Sequence, residues 1–377
     1  MTFRHVYVHI PFCRRRCVYC DFAIAVRRTV PQERFVSAIR AELETRRAAI
    51  APPTGGPETI YLGGGTPSLL EPEAIDRLLL MLRTRGDDRG RPDEITLEAN
   101  PEDVTPDAAS TWALAGVDRV SLGVQSFQPT VLAWMHRSHD PDAADRAVQV
   151  LREEGVTAVS VDLIIGLPEA ARPDLANDLE RVLALDPDHV SVYTLTVEPR
   201  TPLGKWNARG LVEPAPDERH AAEFLRTHEV LTTAGFEHYE VSNYARPGLR
   251  ARHNSAYWTG RAYLGLGPSA HSFDGVVRSW NVAHWAAYEE HVVAGRDAVE
   301  ASEILSGEQL LLERAYLGLR TVEGVPLNGL RWPSAAGDRA IAERWAEVAG
   351  DRLRLTPEGW LRLDAIAGAL TTPPGGG

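Results

Sequence analysis

Cysteine occurs only three times in the chain, and all three fall in one short run, Cys13-x3-Cys17-x2-Cys20. Three thiols cannot all pair, and no cysteine elsewhere can bridge to them, so a disulfide framework is excluded. Thiolates spaced this way can face a single centre if the chain loops around it, which is metal chemistry. A structural zinc site needs a fourth ligand, for which His5 or His9 is available. His9, however, lies in an alternating strand-like run and can simply fill the core. A cubane iron–sulfur cluster held by three cysteines leaves one iron open to a further ligand. Three unrelated buried thiols would not be expected to share one loop.

Other residues suit a ligand site. Gly63-Gly64-Gly65-Thr66 follows a short apolar run, where glycines let the backbone approach a ligand and exposed amides can hold a carboxylate or an amine. Glu98, Gln125 and Asp162 each fall in or at the end of a further apolar run. A polar residue there faces a ligand more often than solvent, although Asp162 alone reads equally well as a hydrogen-bonded core group. Arg252-His253-Asn254-Ser255-Ala256-Tyr257-Trp258 places a histidine beside two aromatic residues. Such a histidine can ligate haem iron while the aromatics pack on the macrocycle. The residues alone favour an aromatic satellite core with a hydrogen-bonded histidine. His271 is a secondary candidate.

The elements that must position these groups alternate in type. Strand-like runs cover Val6 to Ile10, Thr59 to Leu62, Ile95 to Ala99, Arg119 to Val124, Ala158 to Ile164 and His189 to Leu195. Helical patterns separate them: Phe35, Ile39 and Leu43 after a Thr29/Gln32 capping-box signature, and Ile75, Leu78, Leu79 and Leu82 after Pro72. Six β-α repeats predict a parallel sheet with helices outside it, and both an open partial barrel and a doubly wound sheet fit. The repeats form a core over 1–235. Residues 236–300 read as an irregular, aromatic-rich segment. Residues 301–370 read as a smaller α+β region, winged-helix-like, with a helix carrying Leu305, Leu310, Leu311 and Tyr316, a second near Ala340 to Val348, and a strand pair around Leu353 and Leu355. The tail 371–377, Thr-Thr-Pro-Pro-Gly-Gly-Gly, reads as disordered.

Composition narrows the partners. The 377 residues carry 52 Asp and Glu against 40 Lys and Arg, a formal charge of −12, which gives no electrostatic reason to expect nucleic acid or an anionic membrane surface. No run approaches the length of a membrane span, and no targeting segment is visible, so a reducing cytoplasmic setting is expected.

The motif C-x3-C-x2-C after a first strand resembles the signature of the radical S-adenosylmethionine (SAM) superfamily. Tyr7-Val-His-Ile-Pro-Phe-Cys13 and Gly63-Gly64-Gly65-Thr66-Pro67-Ser68 resemble its HemN-like branch. The resemblance implies an open (β/α)6 partial barrel. It also implies a [4Fe-4S] cluster on Cys13, Cys17 and Cys20, and SAM bound to the open iron, whose reduction gives a 5′-deoxyadenosyl radical. SAM would be held by Tyr7, the Tyr19 backbone, Gly64, Gly65, Thr66, Glu98, Gln125, Arg137 and Asp162. The H-N-x-x-Y-W string resembles a motif associated with haem binding in the haem chaperones of that branch, which implies haem at His253, Tyr257 and Trp258. The branch also contains oxygen-independent coproporphyrinogen III dehydrogenases and HemN-like methyltransferases. The dehydrogenases usually carry a further cysteine past the third and an N-terminal extension, whereas here Cys20 is followed by Asp21-Phe22 and the motif begins at residue 13. A haem carrier is therefore expected, with an electron donor for the cluster and a haem-accepting protein, such as a membrane-bound respiratory haem protein, as partners.

Overall fold

The computed structural model describes residues 3–46, 56–83 and 91–371. Six strands follow the expected positions: β1 (His5–Ile10), β2 (Thr59–Gly64), β3 (Glu94–Ala99), β4 (Arg119–Gln125), β5 (Ala158–Ile165) and β6 (His189–Thr194). The six are parallel to one another and lie side by side in chain order. A doubly wound sheet would reverse its strand order at a switch point, so the consecutive order decides for the open barrel. The strands are nearly continuous Val, Ile and Leu because both faces are covered, one by helices and the other by the barrel interior. Helix Pro72–Leu82 illustrates the outer layer: Ala74, Ile75, Leu78, Leu79 and Leu82 form its buried stripe.

Residues 236–300 are not the irregular segment expected from their composition. They extend the same sheet at both edges. On one side β7 (Glu237–Glu240) and β8 (Asn243–Ala245) continue from β6. On the other, β9 (Tyr263–Leu266) pairs parallel with β1, followed by β10 (His271–Phe273), β11 (Val277–Asn281) and β12 (Val299–Ile304). Val277–Asn281 has little apolar alternation, and its strand state comes from hydrogen bonding to neighbouring strands. A boundary at 235 therefore cuts through one sheet.

The C-terminal region is α+β as expected. Its first helix, Gly307–Leu319, starts from a complete Ser306/Gln309 capping box. A three-stranded sheet of β13 (Val325–Pro326), β14 (Ala346–Ala349) and β15 (Arg352–Leu355) packs beside it, with β15 central. The helix expected over Ala340 to Val348 ends at Ala342; Arg344 takes a left-handed φ of 59° and turns the chain into β14. Thr371, expected to begin the tail, closes helix Leu363–Thr371, and 372–377 lie outside the described residues. The Thr29/Gln32 capping box is not formed, because the Gln32 side chain accepts from the Glu71 amide instead.

Helix Gln32–Arg46 also differs from its simple pattern. Leu43 is only partly buried, while Glu42 is 1% exposed. Its carboxylate accepts from Gly267 N (2.8 Å), Asn281 Nδ2 (2.7 Å) and Tyr288 Oη (2.6 Å), and pairs with Arg46 at 3.2 Å. This one group fastens the β9–β11 extension to the barrel. Burial raises its pKa, with Arg46 acting against that rise. Glu42→Ala leaves Arg46 and three donors without their shared acceptor and is expected to cost about 3–5 kcal/mol, read as a fall in the urea midpoint.

Candidate functional site

The cysteine loop leaves β1 at Pro11 and is closed at its base by a short parallel ladder between Phe12–Cys13 and Ala25–Val26. Ala25 N donates to Pro11 O (2.7 Å) and Arg27 N to Cys13 O (2.9 Å), so the loop returns to its starting point. Gly65 N donates to Ile10 O (2.8 Å), and a Cβ on Gly65 would lie 2.8 Å from Phe12 O. Gly64 has φ +116°, and a Cβ there would lie 2.6 Å from the His9 ring. The glycines are therefore demanded by the protein's own packing against the loop base. The Gly64 amide is also taken, donating to Glu98 Oε2 at 3.0 Å.

Cys13, Cys17 and Cys20 line a cavity of about 490 Å³ together with Tyr19, Gly64, Gly65, Thr66, Glu98, Gln125, Arg137 and Asp162. Of the expected SAM residues, Tyr7 alone stands apart. It lines an adjoining hollow of about 390 Å³ that shares Gly64 and Glu98 with the first. The strand register explains the convergence. Each core strand is buried almost throughout and exposes Tyr7, Tyr61, Glu98, Gly123 and Gln125, Asp162 or Tyr193 toward the interior. Gln125 takes φ 69°, an uncommon conformation for a non-glycine residue and one concentrated at functional sites.

Two side chains donate toward sulfur: Thr66 Oγ1 to Cys13 Sγ at 3.5 Å and Arg137 Nη1 to Cys17 Sγ at 3.8 Å. Thr66 thus reaches the cysteine loop from the cavity wall. Burial pushes the Cys13 thiol up and the Cys20 thiol to about 11, so a cationic centre is needed to hold them as thiolates at neutral pH. Glu98 accepts from Tyr61 Oη at 2.8 Å, and Asp162 from Ser121 Oγ at 3.0 Å. Burial raises both carboxyls, Asp162 to about 7, with Ser191 and Ser121 acting against the rise. Arg137 donates to Asn100 Oδ1 (2.7 Å) and Gly123 O, while its Nε is buried without a partner. That orphan donor beside two carboxyls suits a ligand carrying both a carboxylate and hydrogen-bond donors, such as an amino acid with a sugar. Asn100, Ser121, Tyr61 and Tyr193 went unrecognised in the sequence; position at a strand end was the available signal for Asn100 and Tyr193, whereas Tyr61 and Ser121 lie within their strands.

Zinc fits poorly. Both His9 nitrogens are engaged, by Tyr7 Oη (3.1 Å) and Ala23 O (2.9 Å), and His5 begins β1 at the far end from the cysteines. Among the described residues no three His, Cys, Asp or Glu side chains are grouped to hold a single metal ion. A cubane cluster, which spreads its thiolates over separate irons, makes no such demand.

The H-N-x-x-Y-W segment lies apart from the cysteine-lined cavity, although Tyr257 reaches the adjoining hollow that holds Tyr7, Gly64 and Glu98. It forms helix Arg252–Trp258 across the opposite mouth of the barrel, where β1, β2, β3 and β4 begin. Glu94, the first residue of β3, accepts from Arg252 N (3.0 Å) and His253 N (2.9 Å) and pairs with Arg119, the first residue of β4. His253 is 1% exposed; its Nδ1 meets Thr59 Oγ1 at 2.7 Å and its Nε2 meets Tyr257 Oη at 2.8 Å. The free imidazole expected for haem ligation is therefore not presented. Tyr257 and Trp258 line a further hollow of about 400 Å³ against helix Gly307–Leu319, with Arg320 over the Trp258 ring at 4.4 Å.

A family model described as the radical SAM superfamily matches residues 7–182. A protein of Mycobacterium tuberculosis named "Heme chaperone HemW" is 40% identical over 97% of this chain and 94% of its own length. An Escherichia coli protein of the same name is 35% identical over 96% of each chain. The solved structure described as coproporphyrinogen III oxidase (HemN) from Escherichia coli, a radical SAM enzyme, superposes with a TM-score of 0.79 at 23% identity, covering 98% of this chain and 91% of that one. The fold is thus that of a radical SAM protein. Within that superfamily, in its HemN-like branch, the chain belongs to the HemW family.

Burial lowers His253 to about 3, so this imidazole stays neutral in the folded state over a range where the unfolded chain takes up a proton. His253→Ala is expected to cost about 2–4 kcal/mol at pH 7 by orphaning Thr59 and Tyr257. The wild type then loses stability as pH falls below about 6.5, so its advantage over the variant shrinks by about 2 kcal/mol between pH 7 and pH 5. Urea unfolding of both proteins at the two pH values checks this.

Proposed function

We propose that the protein is a haem chaperone that binds haem as cargo and passes it to an acceptor protein, carrying a [4Fe-4S] cluster and SAM. The observation that carries the reading is identity of 35–40% to proteins named as haem chaperones over nearly the full length of both partners. The cysteine loop supports it further: Cys20 is followed by Asp21-Phe22, without the extra cysteine of the dehydrogenase pattern.

Cys13, Cys17 and Cys20 would hold the cluster, with Thr66 and Arg137 donating toward two of the sulfurs. When bound, the cluster supplies one-electron chemistry and an open iron for SAM. Arg137 would meet the carboxylate of SAM, and Glu98 and Asp162 would accept from its amine and hydroxyls. Gln125, at the end of β4, is held near Arg137, since both side chains lie within 3.4 Å of where a Gly123 Cβ would stand. An electron donor and a haem-accepting protein are the partners this reading requires. Among the described residues no helix is long and apolar enough to cross a membrane, so a membrane-bound acceptor would be reached from outside the bilayer.

The reconstituted full chain titrated with haem should develop a Soret band at about one haem per monomer. No band, or turnover of coproporphyrinogen III to protoporphyrinogen IX with SAM and reductant, would sink the carrier reading. SAM binding should weaken as pH falls through about 7, where Asp162 takes up a proton. Asp162→Asn should bind SAM at least tenfold more weakly, with that pH dependence flattened and cluster iron content unchanged; calorimetry across pH 6 to 8 measures both.

A further inference from the structure

Haem offers a protein a broad flat ring and two carboxylates along one edge, so a site for it needs an apolar and aromatic slot with a cation at the rim. The chain carries a formal charge of −12, and most of such a surface repels an anionic ligand. Two adjoining hollows beside helix Arg252–Trp258 and helix Gly307–Leu319 reverse that sign. They measure about 400 and 560 Å³, share Trp258, Gly260, Arg314 and Leu317, and are lined by five arginines against two glutamates. Sharing those four residues, they make one cleft in the size range of a small-molecule site.

The walls of the cleft are prepared for a flat ligand. Helix Gly307–Leu319 packs on the core through Ala315 and Leu319. At about 100° per residue, Leu310, Glu313, Arg314 and Leu317 fall on the opposite side of the helix, and these are the residues that line the cleft. Leu310 and Leu317 are therefore half-buried leucines that the core does not cover. Across from them stands Trp258, the last residue of the motif helix. Arg320 lies over its ring at 4.4 Å and is paired in turn with the fully buried Glu240 at 2.6 Å. An indole fixed in advance loses little freedom when a ligand packs against it. Gly260, close by, has open space where a side chain would stand.

Four of the five arginines are already engaged. Arg261 pairs with Glu58 at 3.3 Å, Arg278 with Glu303 and Glu313, and Arg250 with Glu237 at 3.0 Å and Glu323 at 2.7 Å. Arg352 donates to the Glu323 and Gly324 carbonyls, both at 2.7 Å. Arg314 is exposed, has no hydrogen-bond or ion-pair partner among the described residues, and is the one arginine that borders both hollows.

Resting on the carrier reading above, we infer that the cargo occupies this cleft, with Trp258 on one wall and Leu310 and Leu317 on the other, and that Arg314 clamps the haem propionates. A guanidinium meets a carboxylate with two parallel hydrogen bonds, so this one side chain sets orientation as well as affinity. The contact is an ion pair, and no electron or proton is transferred. The motif helix then supplies one wall of the cargo site and the C-terminal region the other. Tyr257 and Tyr263 border both this cleft and the 390 Å³ hollow toward the cysteine loop, which places a tyrosine wall between the cargo and the cluster end.

The test titrates the reconstituted full chain with haem and, separately, with haem dimethyl ester, whose propionates are capped, and follows absorbance. The set comprises wild type, Arg314→Gln, Arg314→Lys, Leu317→Trp, which fills the cleft, and Arg226→Gln as a control on the exposed face of helix Asp217–Thr233. Arg314→Gln should bind haem at least tenfold more weakly and the ester as wild type does, with an unchanged urea midpoint. Arg314→Lys, which keeps the charge and loses the fork, should fall between the two. Leu317→Trp should weaken both ligands, and Arg226→Gln neither. Wild-type haem affinity in Arg314→Gln or in Leu317→Trp overturns the assignment while the carrier reading stands, as does equal loss of haem and ester in Arg314→Gln. Failure of the wild type to bind haem removes the carrier reading and this assignment together.

Discussion

The turn at Gly64–Gly65 presses against Pro11–Phe12 and the His9 ring so closely that neither glycine has room for a side chain. That contact sets the rest of the site. It brings β2 close enough for Gly65 to bond Ile10, which fixes the base of the cysteine loop, and for Thr66 to reach the Cys13 sulfur. It also turns the Gly64 amide onto Glu98, linking the loop wall to β3. An alanine at residue 65 would have to move backbone on both sides, since the atoms it meets are carbonyl groups rather than flexible side-chain ends. A catalytic-looking glycine motif is thus first a packing device, and the ligand site is its consequence.

The barrel divides its polar residues between two ends with opposite characters. At the ends of the strands, Glu98, Asp162, Arg137 and the cysteines surround open volume. Burial without complete pairing leaves them poised for a charged ligand. At the beginnings of the strands, His5, Thr59, Glu94, Arg119 and His189 are buried and form bonds to one another, to Tyr239 and to the motif helix. Polar groups so buried are tolerated because they are bonded, and such a network holds one arrangement of the chain strongly. The same residue types therefore serve binding at one mouth and closure at the other, and only position within the strand separates the two.

Much of this was legible from residues alone. The six strands announced themselves as largely apolar runs because parallel strands are covered on both faces, and the polar residues Glu98, Gln125 and Asp162 toward their ends marked the interior. The cysteine loop was legible because its three cysteines are local. What escaped notice depends on distant partners. His253 meets Glu94 across 159 residues and Thr59 across 194, and no local pattern records such contacts. The strands β10 to β12 were missed because their pairing, not their composition, makes them strands. Leu43 fitted the helical stripe of its segment, yet the buried residue is Glu42, since the donors to its carboxylate lie on Gly267, Asn281 and Tyr288.

Fold likeness to the HemN structure cannot by itself separate an enzyme from a carrier, because the barrel, the cysteine loop and the polar strand ends serve either role. The distinction turns on where a tetrapyrrole can sit. A radical enzyme must bring its substrate carbon inside the cavity, next to the adenosyl group, whereas a carrier needs an iron ligand at an accessible edge. The motif histidine is buried beneath the barrel with both ring nitrogens engaged, so in this arrangement it presents no free lone pair for either role.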